Sequence, residues 1–346
     1  MLFKNIIRIK CRIRNLHTMS ALPKVLVSRN DVPEEGILLL QSKCHVEIWE
    51  KPGTMPANEI LKRIKNKDAL YCTVSEKINA ELLDAAGPTL KAIGTFSVGY
   101  DHIDLDECKK RGIVVGNTPD VLTDTTAELT VALLLATSRR LIEANKEVTN
   151  GGWTGWGPLW MCGTSLAGST VGIVGLGRIG FGVAERLKGF KVKNILYSGN
   201  RAKIEAMEKL NAKFVPFDEL LKHSDFVIVC CALTSNTTGL FNLEAFSKMK
   251  KNAIFINSSR GLIVNQEDLY TALTSGLIKA AGLDVMDPEP LPTGHKLTKL
   301  SNCVLLPHIG SATVETRTTM AVLTAKNILA GLEGKPLPCP LQYAEN

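Results

Sequence analysis

The sequence predicts an α/β protein built from two parallel-sheet units. Three observations carry this. Short apolar runs alternate with amphipathic segments along nearly all of the 346 residues. A glycine-rich turn opens the second alternating series. The length suits two domains, at roughly 100–200 residues each. Strand–helix alternation needs crossover connections, which make strands parallel and cover both faces of the sheet.

The first series has strand candidates KVLVS (24–28), CHVEIW (44–49), ALYC (69–72), LKAIGT (90–95) and GIVVG (112–116). Five such strands suit a flavodoxin-like unit. A helical segment is expected from about 124 to 150, capped by Thr123 or Asp124 and stopped by Gly151 and Gly152. The loop WTGWGPLWMCGTSLAG follows and holds Trp153, Trp156 and Trp160, three of the four tryptophans. The second series reads TVGIVG (170–175), NILYS (194–198), DFVIVC (225–230), AIFINS (253–258), AAGLDV (280–285) and CVLLP (303–307). A last helix over about 312–332 is expected to return to the first unit, because the strand before it already completes the second sheet.

Composition narrows the function classes. Hydrophobic residues make up 45% and charged residues 22%, ordinary for a soluble globular protein. No apolar stretch reaches the roughly 18 residues of a membrane span. The net charge is +7, but Lys4, Arg8, Lys10, Arg12 and Arg14 sit in the acid-free residues 1–19. Without those five charges +2 remains, which gives no reason to expect nucleic-acid binding. The basic, Leu/Phe/Ile-containing opening reads as a mitochondrial presequence or as a dispensable extension ahead of an alternative start at Met19. The expected location is cytoplasmic, with mitochondrial import through residues 1–19 as the alternative. Nine cysteines without a C-x-x-C pair argue for a reducing compartment and against a disulfide framework or metal site.

The turn Gly175-Leu176-Gly177-Arg178-Ile179-Gly180 fits G-x-G-x-x-G, directly after a strand and at the start of a helix, the context that a dinucleotide site requires. Gly175 permits the tight turn, Gly177 lets a pyrophosphate approach the backbone, and Gly180 lets helix and strand pack closely. The helix N-terminus offers N–H groups and partial positive charge to phosphate. An NAD site usually ends the next strand with an acid that holds the ribose 2′-OH. Here that strand ends in Tyr197, Ser198, Gly199, Asn200 and Arg201, then Lys203, with no acid before Glu205. Ser198, Asn200, Arg201 and Lys203 suit a 2′-phosphate, so NADPH is the expected cofactor and NADH the alternative.

Three consecutive strands of the second series end in reactive residues. Arg260 follows AIFINSS, Glu289 follows AAGLDV with its Asp284, and His308 follows CVLLP. Ligands of open α/β sheets bind beyond the carboxyl ends of the strands, which puts all three at one crevice. A guanidinium there suits a carboxylate or a carbonyl oxygen. An imidazole suits proton transfer near neutrality, and a neighbouring carboxylate would orient it and favour its charged form. The set fits reduction of a 2-keto acid.

The segments GLGRIG, INSSRG, AGLDV, PEP and PHIGSAT resemble the D-isomer-specific 2-hydroxyacid dehydrogenase family, over nearly everything after residue 20. SVGYDHID, GNTPDVLTDTTAEL, NGGWTGWGPLWMCG and NQEDLYTAL carry a closer likeness to the branch acting on glyoxylate and hydroxypyruvate. The resemblance implies a substrate domain of 20–120 plus 310–346 and a Rossmann-like coenzyme domain of 121–309, with the active site in the cleft between them. It implies His308 as acid/base paired with Glu289, and Arg260 binding substrate. Asp284 would lie near the nicotinamide carboxamide, the Val98 and Gly99 N–H groups would grip the substrate carboxylate, and Ser311 would line the pocket. It also implies a homodimer formed through 124–165, with Trp156 reaching the partner's site. Ala232 and Ser258, both expected beside the coenzyme, depart from the reductase pattern, and Tyr100 replaces an aliphatic residue. Two alternatives stay open: another dehydrogenase of this family, such as one acting on 3-phosphoglycerate, or a dinucleotide-sensing scaffold like the corepressors of this fold.

Overall fold

The computed structural model describes residues 22–342, so the basic opening of residues 1–19 lies outside it. Two parallel sheets form the frame. The first joins β1 (Lys24–Val27), β2 (His45–Ile48), β3 (Ala69–Cys72), β4 (Ala92–Thr95) and β5 (Val114–Gly116) in the order β2-β1-β3-β4-β5. The second joins β6 (Thr170–Val174), β7 (Asn194–Ser198), β8 (Ala212–Phe214), β9 (Phe226–Val229), β10 (Ile254–Asn257), β11 (Ala280–Leu283) and β12 (Cys303–Leu305) in the order β12-β11-β10-β9-β6-β7-β8. Every pairing within them is parallel. The strands β3, β4, β9, β10 and β11 are buried at every position, which is why they read as continuous apolar runs rather than alternating ones.

The chain crosses between the sheets twice. After β5 it enters a helix over Thr123–Ser138 that packs on β10, β11 and β12 and on the helix Arg178–Lys188. After β12 it returns through the helix Val314–Leu332, whose Ala325, Ile328 and Leu329 join Val25, Val27 and Tyr71 in one core cluster. Asn327 fixes that return by donating to the Asn117 carbonyl and accepting from the Cys339 N–H, both at 2.9 Å.

Three expectations need correction. The helical segment expected as one piece over 124–150 is two helices, Thr123–Ser138 and Leu141–Thr149. Between them Arg140 takes a left-handed φ of 55° and clasps Glu143 at 2.6 and 2.9 Å, which starts a new helix in a new direction. Neither Thr123 nor Asp124 caps the first helix: the capping position is Leu122, and the Asp124 carboxylate instead pairs with Arg186 at 2.9 Å. The edge strand β8 had no counterpart in the sequence reading. It is three residues long and only Ala212 is buried, so it carries no apolar pattern.

Candidate active site

Arg260, Glu289 and His308 lie past the carboxyl ends of the adjacent strands β10, β11 and β12. His308 sits on a tight turn with a left-handed φ of 55°. Asp284 holds that turn from below: its carbonyl accepts the His308 N–H and its Oδ1 accepts the Ile309 N–H, both at 2.8 Å. Asp284 is buried, and burial pushes its carboxyl above the usual aspartate value, against the pull of the Ile309 N–H. Its contacts make it the anchor of the turn that carries His308.

Glu289 Oε2 lies 2.8 Å from His308 Nδ1, and Glu289 Oε1 accepts the Met286 N–H at 2.9 Å. Burial works against its ionisation. The His308 bond and charge, the Met286 N–H and the nearby Arg260 outweigh this and hold its carboxyl below the ordinary glutamate range. A carboxylate on Nδ1 fixes the ring and leaves Nε2 as the nitrogen available for proton exchange.

Arg260 reaches across to the first sheet. Its Nε donates to Asp101 Oδ1 at 2.9 Å and its Nη1 to the Ser259 carbonyl at 2.8 Å. Its Nη2 lies where a Cβ on Gly99 would stand, so any side chain at residue 99 would push the guanidinium out of this position. The loop carbonyls are occupied: Asn117 Nδ2 donates to Val98 and Ser97 Oγ donates to Gly99, at 2.8 and 2.7 Å. The Val98 and Gly99 N–H groups have no partner among the described residues. Two free amides beside a guanidinium form a site for an anion.

The glycine turn after β6 makes a cradle that suits a dinucleotide. Gly175 has a φ of 91°, and a Cβ there would come within 2.5 Å of the Cys231 backbone. A Cβ on Gly180 would overlap the Gly175 carbonyl, whereas one on Gly177 would meet nothing within 4 Å. The strand and helix are therefore pressed together at the outer glycines and open at the middle one, where a pyrophosphate needs room. Arg178 pairs with Asp120 at 2.5 Å, and Ile179 packs against the core beneath the turn. At the end of β7, Ser198 is buried and its carbonyl accepts the Gly175 N–H at 2.9 Å, while Asn200, Arg201 and Lys203 beyond it are exposed. The Ala232 carbonyl accepts from Thr237 Oγ1, and Ser258 Oγ bonds Thr130 Oγ1 at 2.7 Å, which gives that hydroxyl a partner.

The structure thus gathers Arg260, Glu289, His308, Val98 and Gly99 along one gap between the sheets, with Ser311 on the turn beyond His308. Trp156 lies apart, 85% exposed on its loop. Asp101, Asn117 and Ser97 escaped the sequence reading. Ser97 and Asp101 flank the Val98-Gly99 pair past β4, whereas Asn117 reaches Val98 from just past β5, a meeting that no local pattern announces. Among the described residues no group of three His, Cys, Asp or Glu could hold a metal ion.

Residues 131–310 match the family described as D-isomer specific 2-hydroxyacid dehydrogenase, NAD binding domain. The chain is also 55% identical to the human glyoxylate reductase/hydroxypyruvate reductase over 323 residues, 93% of this chain and 98% of that protein. It belongs to the D-isomer-specific 2-hydroxyacid dehydrogenase family. Within the family it is 47% identical to the glyoxylate reductase of Thermofilum pendens over 320 residues, 92% of this chain and 94% of that one. Among solved structures, it superimposes on an NADPH-dependent glyoxylate/hydroxypyruvate reductase from Sinorhizobium meliloti, crystallised with NADP and malonate. The TM-score is 0.81 at 32% identity, covering 93% of this chain and 97% of that one. The protein is therefore an oxidoreductase whose second sheet is a nicotinamide-dinucleotide domain.

Proposed function

We propose that this dehydrogenase reduces small 2-keto acids with NADPH, turning glyoxylate into glycolate and hydroxypyruvate into D-glycerate. The 2.8 Å pair of Glu289 and His308, set beside Arg260 past adjacent strand ends, carries the reading. In it, residues 20–120 with 310–346 hold the keto acid and residues 121–309 hold the dinucleotide. The Val98 and Gly99 N–H groups take the substrate carboxylate. Arg260 draws the carbonyl oxygen and stabilises negative charge as it grows there. His308 gives that oxygen its proton from Nε2, and Glu289 holds the ring in place while it does so. Ser311 lines the pocket. The glycine cradle would hold the reduced dinucleotide and Asp284 would bind its nicotinamide carboxamide; when bound, the cofactor would supply the hydride. Ala232 and Ser258 border it.

NADPH is favoured by the exposed Arg201 and Lys203 beyond Ser198 and Asn200. The first acid after them, Glu205, is drawn away into an ion pair with Lys209 at 2.8 Å. The working state is a homodimer. Leu141, Ile142, Val148, Trp153, Trp156, Leu159 and Trp160 are all exposed within twenty residues, a concentration of large apolar side chains of the kind that marks an interaction surface. No helix among the described residues is long and apolar enough to cross a membrane. We assign the enzyme to the cytoplasm, with mitochondrial import directed by residues 1–19 as the alternative.

Side-by-side rates with NADPH and NADH over glyoxylate, hydroxypyruvate and pyruvate test this. Fastest turnover of hydroxypyruvate or glyoxylate with NADPH is expected. Tight dinucleotide binding with negligible turnover of every keto acid would overturn it in favour of a sensing scaffold.

A further inference from the structure

Asp101 and Arg260 stand 159 residues apart, one past the first sheet and one past the second, yet they meet at 2.9 Å. The pair is partly shielded, with side chains 29% and 21% exposed. A guanidinium has five N–H donors on one rigid plane. Asp101 takes the one on Nε, and the Ser259 carbonyl takes one of those on Nη1. Nη2 is left unengaged and rests against Gly99. Because the fork is planar, holding Nε decides where Nη2 points.

The loop that Nη2 meets is itself braced. His102 Nε2 lies 3.0 Å from Thr95 Oγ1, which lies 2.7 Å from Ser97 Oγ, which donates to the Gly99 carbonyl. Burial depresses the His102 pKa to about 4, so this brace keeps one charge state near neutrality. A carboxylate in this loop is otherwise a liability, because it would repel an anionic substrate. Paired with Arg260 it loses that effect and sets a geometry.

We infer that Asp101 is a positioning residue for the keto acid. Its carboxylate holds Arg260 by Nε, so that the open Nη edge lies beside the free Val98 and Gly99 amides. Two sheets thereby complete one anion-binding platform. This rests on the proposed reduction of 2-keto acids.

The test is a double-mutant cycle of Asp101→Asn and Arg260→Lys, read by steady-state rates with hydroxypyruvate and NADPH. Calorimetric titration of oxalate, a non-reducible anion, into the NADP-loaded protein gives a second readout. Asp101→Asn is expected to raise the keto-acid KM at least tenfold and to weaken oxalate by a similar factor. The NADPH KM and the melting temperature should stay at wild-type values. Asp101→Glu should recover part of the loss, and Asp101→Asn should add little on top of Arg260→Lys. A keto-acid KM and oxalate affinity within twofold of wild type would overturn the inference. So would losses that multiply in the double mutant, since Asp101 would then act independently of Arg260. If Asp101→Asn fails to fold, Asp101→Glu carries the same test, because a carboxylate displaced by one methylene must still raise the KM. Wild-type protein that reduces no keto acid would sink the proposed function, while the oxalate arm would still decide the role of Asp101.

Discussion

His308 combines a left-handed backbone, uncommon outside glycine, with two hydrogen bonds from its turn to Asp284 and one from its ring to Glu289. Such a conformation persists only where surrounding contacts impose it. His308→Ala is expected to cut kcat by roughly 10²–10⁴-fold, with the far-UV spectrum unchanged; stopped-flow NADPH oxidation would measure the loss, and an unaltered rate would remove the imidazole from the reaction. A second expectation concerns His102. Its folded pKa of about 4 lies below the ordinary 6.5 because burial disfavours the charged ring, with Asp101 opposing and Arg260 adding to the effect. Unfolding therefore takes up a proton between those two values. Stability should fall as pH drops from 6.5 towards 4, by as much as about 3 kcal/mol. Urea melts of wild type and His102→Gln at pH 7 and pH 5 check this, and equal pH slopes in the two would refute it. Arg260, Glu289 and His308 could be named from their residue types after successive strands, because strand ends of a parallel sheet face one side. Asp101 could not, since its importance depends on a partner from the other sheet.

Among the elements, the return helix Val314–Leu332 shows most clearly what packing adds. Its sequence marks it as helical and sends it back to the first unit, and Ile328 and Thr324 nested against Gly94 in β4 show how it docks there. Ile328 is fully buried, so Ile328→Ala is expected to cost about 2–5 kcal/mol, measured as a lower urea midpoint with the m-value retained. The glycine turn after β6 was readable in full, because a dinucleotide turn is local and its demands fall on residues five apart. Gly180→Val should abolish dinucleotide binding through the overlap with the Gly175 carbonyl, as followed by NADPH fluorescence titration; retained affinity would argue against the cradle. The break between the helices ending at Ser138 and starting at Leu141 was not readable. Arg139 and Arg140 are good helix formers, and the left-handed Arg140 is stabilised by Glu143 and by the path the chain must take.

For the whole molecule, the apolar surface from Leu141 to Trp160 is the feature that a single chain leaves unexplained. Trp156 and Leu159 are 85% and 88% exposed. Light scattering is expected to give twice the mass of the chain, and Trp156→Ala with Leu159→Ser to shift the protein towards monomer; a wild-type monomer at micromolar concentration would refute the dimer. The sequence by itself determined the two α/β series, the dinucleotide turn and the three strand-end residues. These follow from periodicity and from short-range steric rules, which act between neighbours along the chain. The tertiary structure decided how the last helix docks on the first sheet, that one helical run splits in two, and that Arg260 grips Asp101. The helix break turns on the Arg140–Glu143 pair, but the other two outcomes rest on contacts such as Asn327–Asn117 and Arg260–Asp101, 210 and 159 residues apart, whose free energy exists only once the segments have packed and closed the distance.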